Sequence, residues 1–169
     1  MDGETLRGIQ APLKSRYAEI PGAARITLRA EGRVGEDVTC AVDTGRALVE
    51  AGLHPGSGGT GEAACSGDML LQALAACAGV TFGAVATSMG VSVNHARVTA
   101  EGDLDFRGTL GVDRNAPVGF SAIRLRWTLD SGEAPEKLDK LLELTERYCV
   151  VLQTLTKGVP VTVIREGAG

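Results

Sequence analysis

The sequence predicts an α+β fold in which helices lie on a mostly antiparallel sheet. Short segments of alternating apolar and polar residues flank an uncharged stretch at residues 69–96, and an amphipathic segment follows at residues 133–148. Alternation with a period of two indicates half-buried strands, and a period near 3.6 indicates helices. The predicted order is β-β-α-β-β-α-β, which is typical of helices segregated onto one sheet.

Length and composition limit the possible classes. The chain has 169 residues and a formal net charge of −4. At roughly 150 residues per domain, this length predicts one domain. Residues 1–24 show no clear period and are interpreted as an N-terminal arm or weakly ordered lead-in, which leaves residues 25–169 as the domain. The acidic balance argues against a nucleic-acid surface, which needs clustered Lys and Arg.

The first two strands are predicted to form a hairpin. The segment Gly-Arg-Val-Gly at 32–35 reads as its turn. The apolar positions alternate on both sides of that turn, at Ile26, Leu28 and Ala30 and then at Val38, Cys40 and Val42.

A glycine-rich loop at 55–62 contains the spacing G-x-G-x-x-G, at Gly56, Gly58 and Gly61. A dinucleotide site also needs a preceding strand and an acidic residue about 20 positions on. The acid is missing and residues 46–52 resemble a helical turn, so we interpret the segment as a plain loop and expect no cofactor.

A long helix follows, with Ser66 as the expected N-cap and an end near Gly90. Asp68 in the first turn suits the helix dipole. One predicted face carries Leu70, Leu74, Cys77, Thr81 and Val85. A second face carries small residues, namely Ala75, Gly79, Gly83 and Thr87. Small residues suggest close packing against another helix. The segment is long enough for a membrane span, but it lacks flanking Lys or Arg, so we expect a buried helix and no membrane association.

The second half supplies the remaining elements. A strand is expected around Val98–Phe106, with Gly102 as a candidate bulge, and the clearest alternation lies at residues 123–129. An amphipathic helix at 133–148 and a short helix at 150–157 come next. A last strand is predicted from Val159, Val161 and Val163.

Thiol chemistry is the only chemistry that the residues suggest. The two histidines give no convincing base, and the cysteines lack the spacing of a metal site. The first residues lack the basic and apolar regions of a signal peptide, so we expect a cytoplasmic protein with reduced thiols. Cys40 has the parity of a core residue, whereas Cys65 precedes helix amides that could lower its pKa. Cys77 and Cys149 are either buried structural thiols or, if they meet, a redox couple.

Several segments in order resemble the OsmC/Ohr family. Ala-Leu-Ala-Ala-Cys at 73–77 is similar to the central-helix motif, and Gly-Arg-Val-Gly at 32–35 is similar to the turn of the N-terminal hairpin. The segment 142–151, with Cys149, resembles the late helix that ends in Cys-Pro in many members. The resemblance extends over about residues 25–165.

The resemblance implies an intertwined homodimer that reduces organic hydroperoxides. Cys77 matches the peroxidatic cysteine, and Cys149 matches the cysteine that resolves it as a disulfide. Arg33 falls on the family arginine, which stabilises the thiolate and the leaving oxygen. A dithiol such as a lipoylated protein would restore both thiols, and no metal or cofactor is implied.

Three positions depart from the family pattern. Gly67 replaces a glutamate ten residues before the reactive cysteine, which leaves the neighbouring Asp68 as a candidate acid from across a dimer or from an unwound first turn. Val150 replaces the proline, so the helix is able to continue past Cys149. Cys65 could compete as a partner for Cys77. These departures motivate an alternative, a non-catalytic dimer of the same fold that binds a small apolar ligand.

Overall fold

The computed structural model describes residues 3–34, 40–42, 52–62, 64–165 and 167, with the backbone alone for 3–7, 27–34 and 40–42. Four strands form one antiparallel sheet in the order β2-β1-β3-β4. The strands are β1 (Arg25–Val34), β2 (Cys40–Val42), β3 (His95–Asp105) and β4 (Ala122–Asp130). The helices are α1 (Gly3–Glu19), α2 (Ser66–Met89), α3 (Phe106–Thr109), α4 (Pro135–Tyr148) and α5 (Val150–Lys157). The α+β class is confirmed.

The N-terminal hairpin is confirmed, but β1 continues through most of the segment that was predicted as its turn. Gly32–Val34 continue β1 and pair with Cys40–Val42. The strand therefore includes three of the four residues assigned to the turn. All three pair with β2, and Gly32 and Arg33 also pair with β3. Gly35, Val38 and the segment 46–51 lie outside the described residues.

The lead-in is helical in the structure. Tyr17 of α1 is buried, and its hydroxyl donates to the carbonyl of Gly56 at 2.6 Å. Phe106 stacks on both Tyr17 and His54. A Cβ at Gly56 would overlap the Phe106 ring, so this glycine permits close packing of the loop. The boundary between arm and domain at residue 24 stays a prediction.

Helix α2 packs on the sheet and on α4 and α5. On the predicted face that carries Cys77, Leu74 is fully buried but Leu70 is exposed, and its neighbour Leu71 is fully buried. The fully buried apolar side chains of α2 include Leu71, Leu74, Ala75, Ala78 and Phe82. Among the described residues, α2 is the one helix long and apolar enough to cross a membrane, although its packing is that of a core helix. It ends at Gly90, as predicted, with a φ of 62°.

Two further predictions were wrong. Gly102 lies in regular register between Leu28 and Ile123 and forms no bulge; an added Cβ would overlap the Phe120 ring. Residues 158–165 form no strand in the described chain, and Val161 and Val163 are 83% and 93% exposed. Alternation alone does not make a strand when no neighbouring strand supplies hydrogen bonds.

Candidate functional site: a pair of cysteines

Cys77 and Cys149, 72 positions apart in the sequence, meet in the core. Cys77 lies in the middle of α2, and Cys149 is the single residue between α4 and α5. Both side chains belong to the apolar cluster that contains Leu74 and Val98. Cys149 is fully buried, whereas Cys77 is partly exposed. The arrangement places one thiol within reach of solvent and the other behind it.

The chain bends at Cys149 although no proline follows. Cys149 has a φ of −70° and a ψ of 105°, which ends α4. Its N–H still donates to the carbonyl of Thr145 at 2.9 Å, and its own carbonyl accepts from Gln153 at 2.9 Å. The side chain of Gln153 also donates to the carbonyl of Glu146 at 2.8 Å. These bonds tie the end of α4 to the start of α5, so the helix does not continue through residue 149.

The start of α5 points at Cys77. Burial of the Cys77 thiol tends to raise its pKa. Hydrogen bonds to its sulfur from the main-chain N–H groups of Val151 and Val150, and from the side chains of Cys149 and Thr81, lower it by more. The pKa of Cys77 is therefore below its ordinary value, which increases the thiolate fraction at a given pH.

Cys149 has the opposite preference. Burial is the largest cause that raises its pKa, and the hydrogen bond to Cys77 together with the negative charge of that thiolate adds to it, so the pKa reaches about 11. Amides of Leu152 and Val151 oppose this rise without cancelling it. At neutral pH the pair therefore consists of a Cys77 with enhanced thiolate character and a protonated Cys149.

Asp68 lies in the first turn of α2, whereas Cys77 lies in the middle of that helix. Burial raises the pKa of its carboxyl, and the nearby His54 partly lowers it. Nine residues of α-helix separate Asp68 from Cys77, or about 13.5 Å along the axis. The first turn is wound from Ser66 onward, so an unwound turn that brings the acid to the thiol is excluded. Within one chain the two groups do not meet.

Cys65, and not Ser66, is the N-cap of α2, and its side chain accepts no cap hydrogen bond. It is partly buried against the same cluster as Cys77. Twelve residues of helix place the two about 18 Å apart along the axis, whereas a disulfide needs Cα atoms within about 7 Å. The expectation that Cys65 competes as a partner for Cys77 was therefore wrong within one chain.

Two other predicted residues lie on the hairpin. Arg33 pairs in register with Ala41 of β2 and Arg97 of β3. Cys40 pairs with Val34. Their side chains are outside the described part of the structure, so the role of Arg33 and the burial of Cys40 stay predictions.

Sequence reasoning missed the donors around Cys77. The hydroxyl of Thr81 was placed on the correct helix face but received no role. The amides of Val150 and Val151 carry no signal in their side chains. A helix that starts directly after a cysteine was the available clue, since the first N–H groups of a helix lack internal partners.

The fold and the cysteine pair define a thiol-bearing α+β protein whose sheet supports a central helix. The profile of a family described as OsmC-like protein matches residues 59–164, so the chain belongs to the OsmC-like family. This match includes both Cys77 and Cys149 and begins after Arg33.

Two solved structures share the fold. An OsmC-like hydroperoxide resistance protein from Jannaschia sp. CCS1 has a TM-score of 0.58 at 18% identity, over 85% of this chain and 92% of that one. An OsmC-like protein from Mycoplasma pneumoniae has a TM-score of 0.56 at 18% identity, over 80% of this chain and 86% of that one. Comparison with curated proteins gives no match. The expected OsmC-like fold is confirmed.

Proposed function

We propose that the protein is a cysteine-based peroxidase that reduces organic hydroperoxides to alcohols. The observation that carries the proposal is the contact between a thiol of lowered pKa, Cys77, and a protonated thiol, Cys149. The thiolate is the nucleophilic form of cysteine, and a neighbouring thiol resolves the oxidised product. The structural similarity to the hydroperoxide resistance protein from Jannaschia supports the choice of oxidant.

The reaction balances in three steps. The Cys77 thiolate attacks the terminal oxygen of the hydroperoxide, the O–O bond breaks, and the alkoxide takes up a proton to leave as an alcohol. Cys77 is then a sulfenic acid. The sulfur of Cys149 attacks it, and the hydroxyl leaves with the Cys149 proton as water, forming a disulfide. A dithiol reductant, such as a lipoylated protein, restores both thiols by two exchanges and is itself oxidised to a disulfide.

Arg33 completes the proposed site. A guanidinium near the thiolate would stabilise its charge and that of the leaving alkoxide. Asp68 would take part only if a second copy carried it to the site, as in the proposed intertwined homodimer. The chemistry needs reduced thiols, which fits the proposed cytoplasmic setting.

The alternative function is a non-catalytic dimer that binds a small apolar ligand. A cavity of about 450 Å³ lies beside α3, but its lining includes Arg25, Asp103, Asp105 and Arg107. Asp105 is buried and paired with Arg107 at 2.6 Å. Charged walls of this kind do not suit an apolar ligand, so this cavity does not favour the alternative.

The test measures consumption of cumene hydroperoxide with dithiothreitol as reductant. Wild-type protein and Cys65→Ser should be active, because Ser is a favoured N-cap and Cys65 is remote from the pair. Cys77→Ser should fall to the rate without protein. Equal rates for wild type and Cys77→Ser would overturn the proposal. An inactive wild type whose Cys77 and Cys149 form no disulfide after mild peroxide would favour the binding alternative.

A further inference from the structure

The two sulfurs of the cysteine pair differ in their access from solvent. Cys149 is fully buried in the apolar core, whereas Cys77 is partly exposed. Ala73 and Val80 lie one turn before and one turn after Cys77, and both are exposed, Val80 by 39%. Residues at these helical spacings share one face. The face of α2 that carries Cys77 is therefore open to solvent on both sides of the thiol.

Thiol–disulfide exchange depends on access to one particular sulfur. The attacking thiolate approaches a sulfur from the side opposite to the bond that breaks, so each end of a disulfide needs its own path. Solvent provides a path to Cys77. A path to Cys149 would pass through the cluster in which Leu74, Ala78 and Val98 are fully buried. Side chains in such a core are close-packed and leave no room for a thiol reagent.

We infer that Cys77 is also the sulfur that the reductant attacks, so that Cys149 is released first. The inference rests on the proposed function, because it requires the disulfide between Cys77 and Cys149. A thiolate of the reductant bonds to the sulfur of Cys77, the protein disulfide breaks, and Cys149 leaves as a thiolate that takes a proton from water. The second thiolate of the reductant then attacks the reductant's own bonded sulfur. Cys77 leaves as a thiolate, and the reductant departs as a disulfide.

The acidities of the two thiols act on different steps of this order. A thiol of lower pKa is the better leaving group. The pKa of Cys149, about 11, therefore slows the first exchange, although part of its rise comes from the charge of the Cys77 thiolate, which is absent in the disulfide. The lowered pKa of Cys77 assists the second exchange. Burial decides the order, because a sulfur that the reductant cannot reach is not attacked.

The experiment traps the first exchange with a monothiol. Wild-type protein is oxidised with diamide, which needs no peroxidase activity, and the disulfide between Cys77 and Cys149 is verified by peptide mass spectrometry. The oxidised protein is then treated briefly with 2-mercaptoethanol and quenched in N-ethylmaleimide and urea. We expect 2-mercaptoethanol on Cys77 and maleimide on Cys149, in about tenfold or greater excess over the reverse pattern.

The control is the same oxidised protein unfolded in urea before the monothiol is added. Both sulfurs are then accessible, and the two patterns should occur in similar amounts. A mixed disulfide mainly on Cys149, or the same distribution in folded and unfolded protein, would overturn the inference and leave the proposed function standing. A mixed disulfide on Cys77 in a protein that does not reduce peroxide would do the reverse. No disulfide after diamide would overturn both.

A second measurement tests the direction of approach with a matched pair of variants. Ala73→Glu places a negative charge one turn from Cys77, and Ala73→Gln has a similar size without the charge. The reagent 2-mercaptoethanesulfonate carries a sulfonate charge that 2-mercaptoethanol lacks. We expect its rate of disulfide reduction, relative to that of 2-mercaptoethanol, to fall about two- to fivefold in Ala73→Glu. The ratio should be unchanged in Ala73→Gln; equal ratios in both variants would contradict approach over this face.

Discussion

Cys65 at the N-terminus of α2 and Cys77 in the middle of the same helix have different surroundings. Cys65 stands at the N-cap, in the sequence position where helix amides are nearest, yet its side chain accepts no cap hydrogen bond. Cys77 lies in mid-helix, where its own helix has no free amide to offer. It receives donors from α5 instead, together with the Thr81 hydroxyl. The helix N-terminus that lowers the pKa of Cys77 is therefore not that of α2. It belongs to α5, which begins 73 positions after Cys77.

Two polar side chains of α2, Asp68 and Thr81, also differ in their relation to Cys77. Asp68 sits beside His54 on the loop side, and burial raises its pKa. Thr81 lies one turn after Cys77 and donates to its sulfur. Two threonines in α2 and α4 instead donate to the carbonyl four residues back: Thr87 to Gly83 at 2.8 Å and Thr145 to Leu141 at 2.8 Å. The Thr81 hydroxyl differs from these two, because it lowers the pKa of the Cys77 thiol.

The largest effect is expected from removal of Cys149. Cys149→Ser cannot form the disulfide, so turnover with dithiothreitol should fall about tenfold or more. In peroxide without dithiothreitol, which would itself reduce a sulfenic acid, the Cys77 sulfenic acid of this variant should persist and form a dimedone adduct detectable by mass spectrometry. Cys65→Ser, which alters the other region of α2, should keep wild-type turnover. An undiminished rate in Cys149→Ser would mean that Cys149 does not resolve Cys77.

A smaller effect is expected at Thr81. Thr81→Val keeps the shape and removes the donor, so the pKa of Cys77 should rise. Because the thiolate forms as pH rises through that pKa, the alkylation profile should move to higher pH. Alkylation at pH 7 should fall about three- to tenfold. Thr81→Ser keeps the hydroxyl and should match the wild type; the same shift in both variants would argue against the hydrogen bond.

The smallest effect is expected at Asp68. Asp68→Asn should leave peroxidase activity within about twofold, because one chain does not bring this carboxyl to Cys77, and should change the free energy of unfolding by less than about 1 kcal/mol. Because the pKa of the Asp68 carboxyl is raised in the folded state, this group contributes stability below its unfolded-state pKa. That contribution is lost as pH rises through its folded-state pKa. Unfolding at pH 4 and pH 7 should show less of this pH dependence in the variant. A large loss of activity would instead place Asp68 at the site of a second copy.

Much of the fold was predictable because local patterns carry it. The strand at 122–130 alternates in apolar residues, and α4 has a clear amphipathic face. The segment 158–165 was not predictable in this way, because a strand depends on a partner that alternation does not reveal. The face of α2 that is buried was not predictable either, since a helix rich in small apolar residues has no sharp polar side to fix its orientation.

The sequence by itself determined most of the strands and helices between residues 25 and 157, the family resemblance and the identity of the two cysteines. Only the tertiary structure decided that Cys77 and Cys149 meet, that Cys65 and Asp68 lie elsewhere on α2, and which thiol favours the charged form. The physical reason is that a thiol pKa depends on burial and on nearby donors. The donors to Cys77 include main-chain amides, whose positions are set by packing and leave no mark in the residue types.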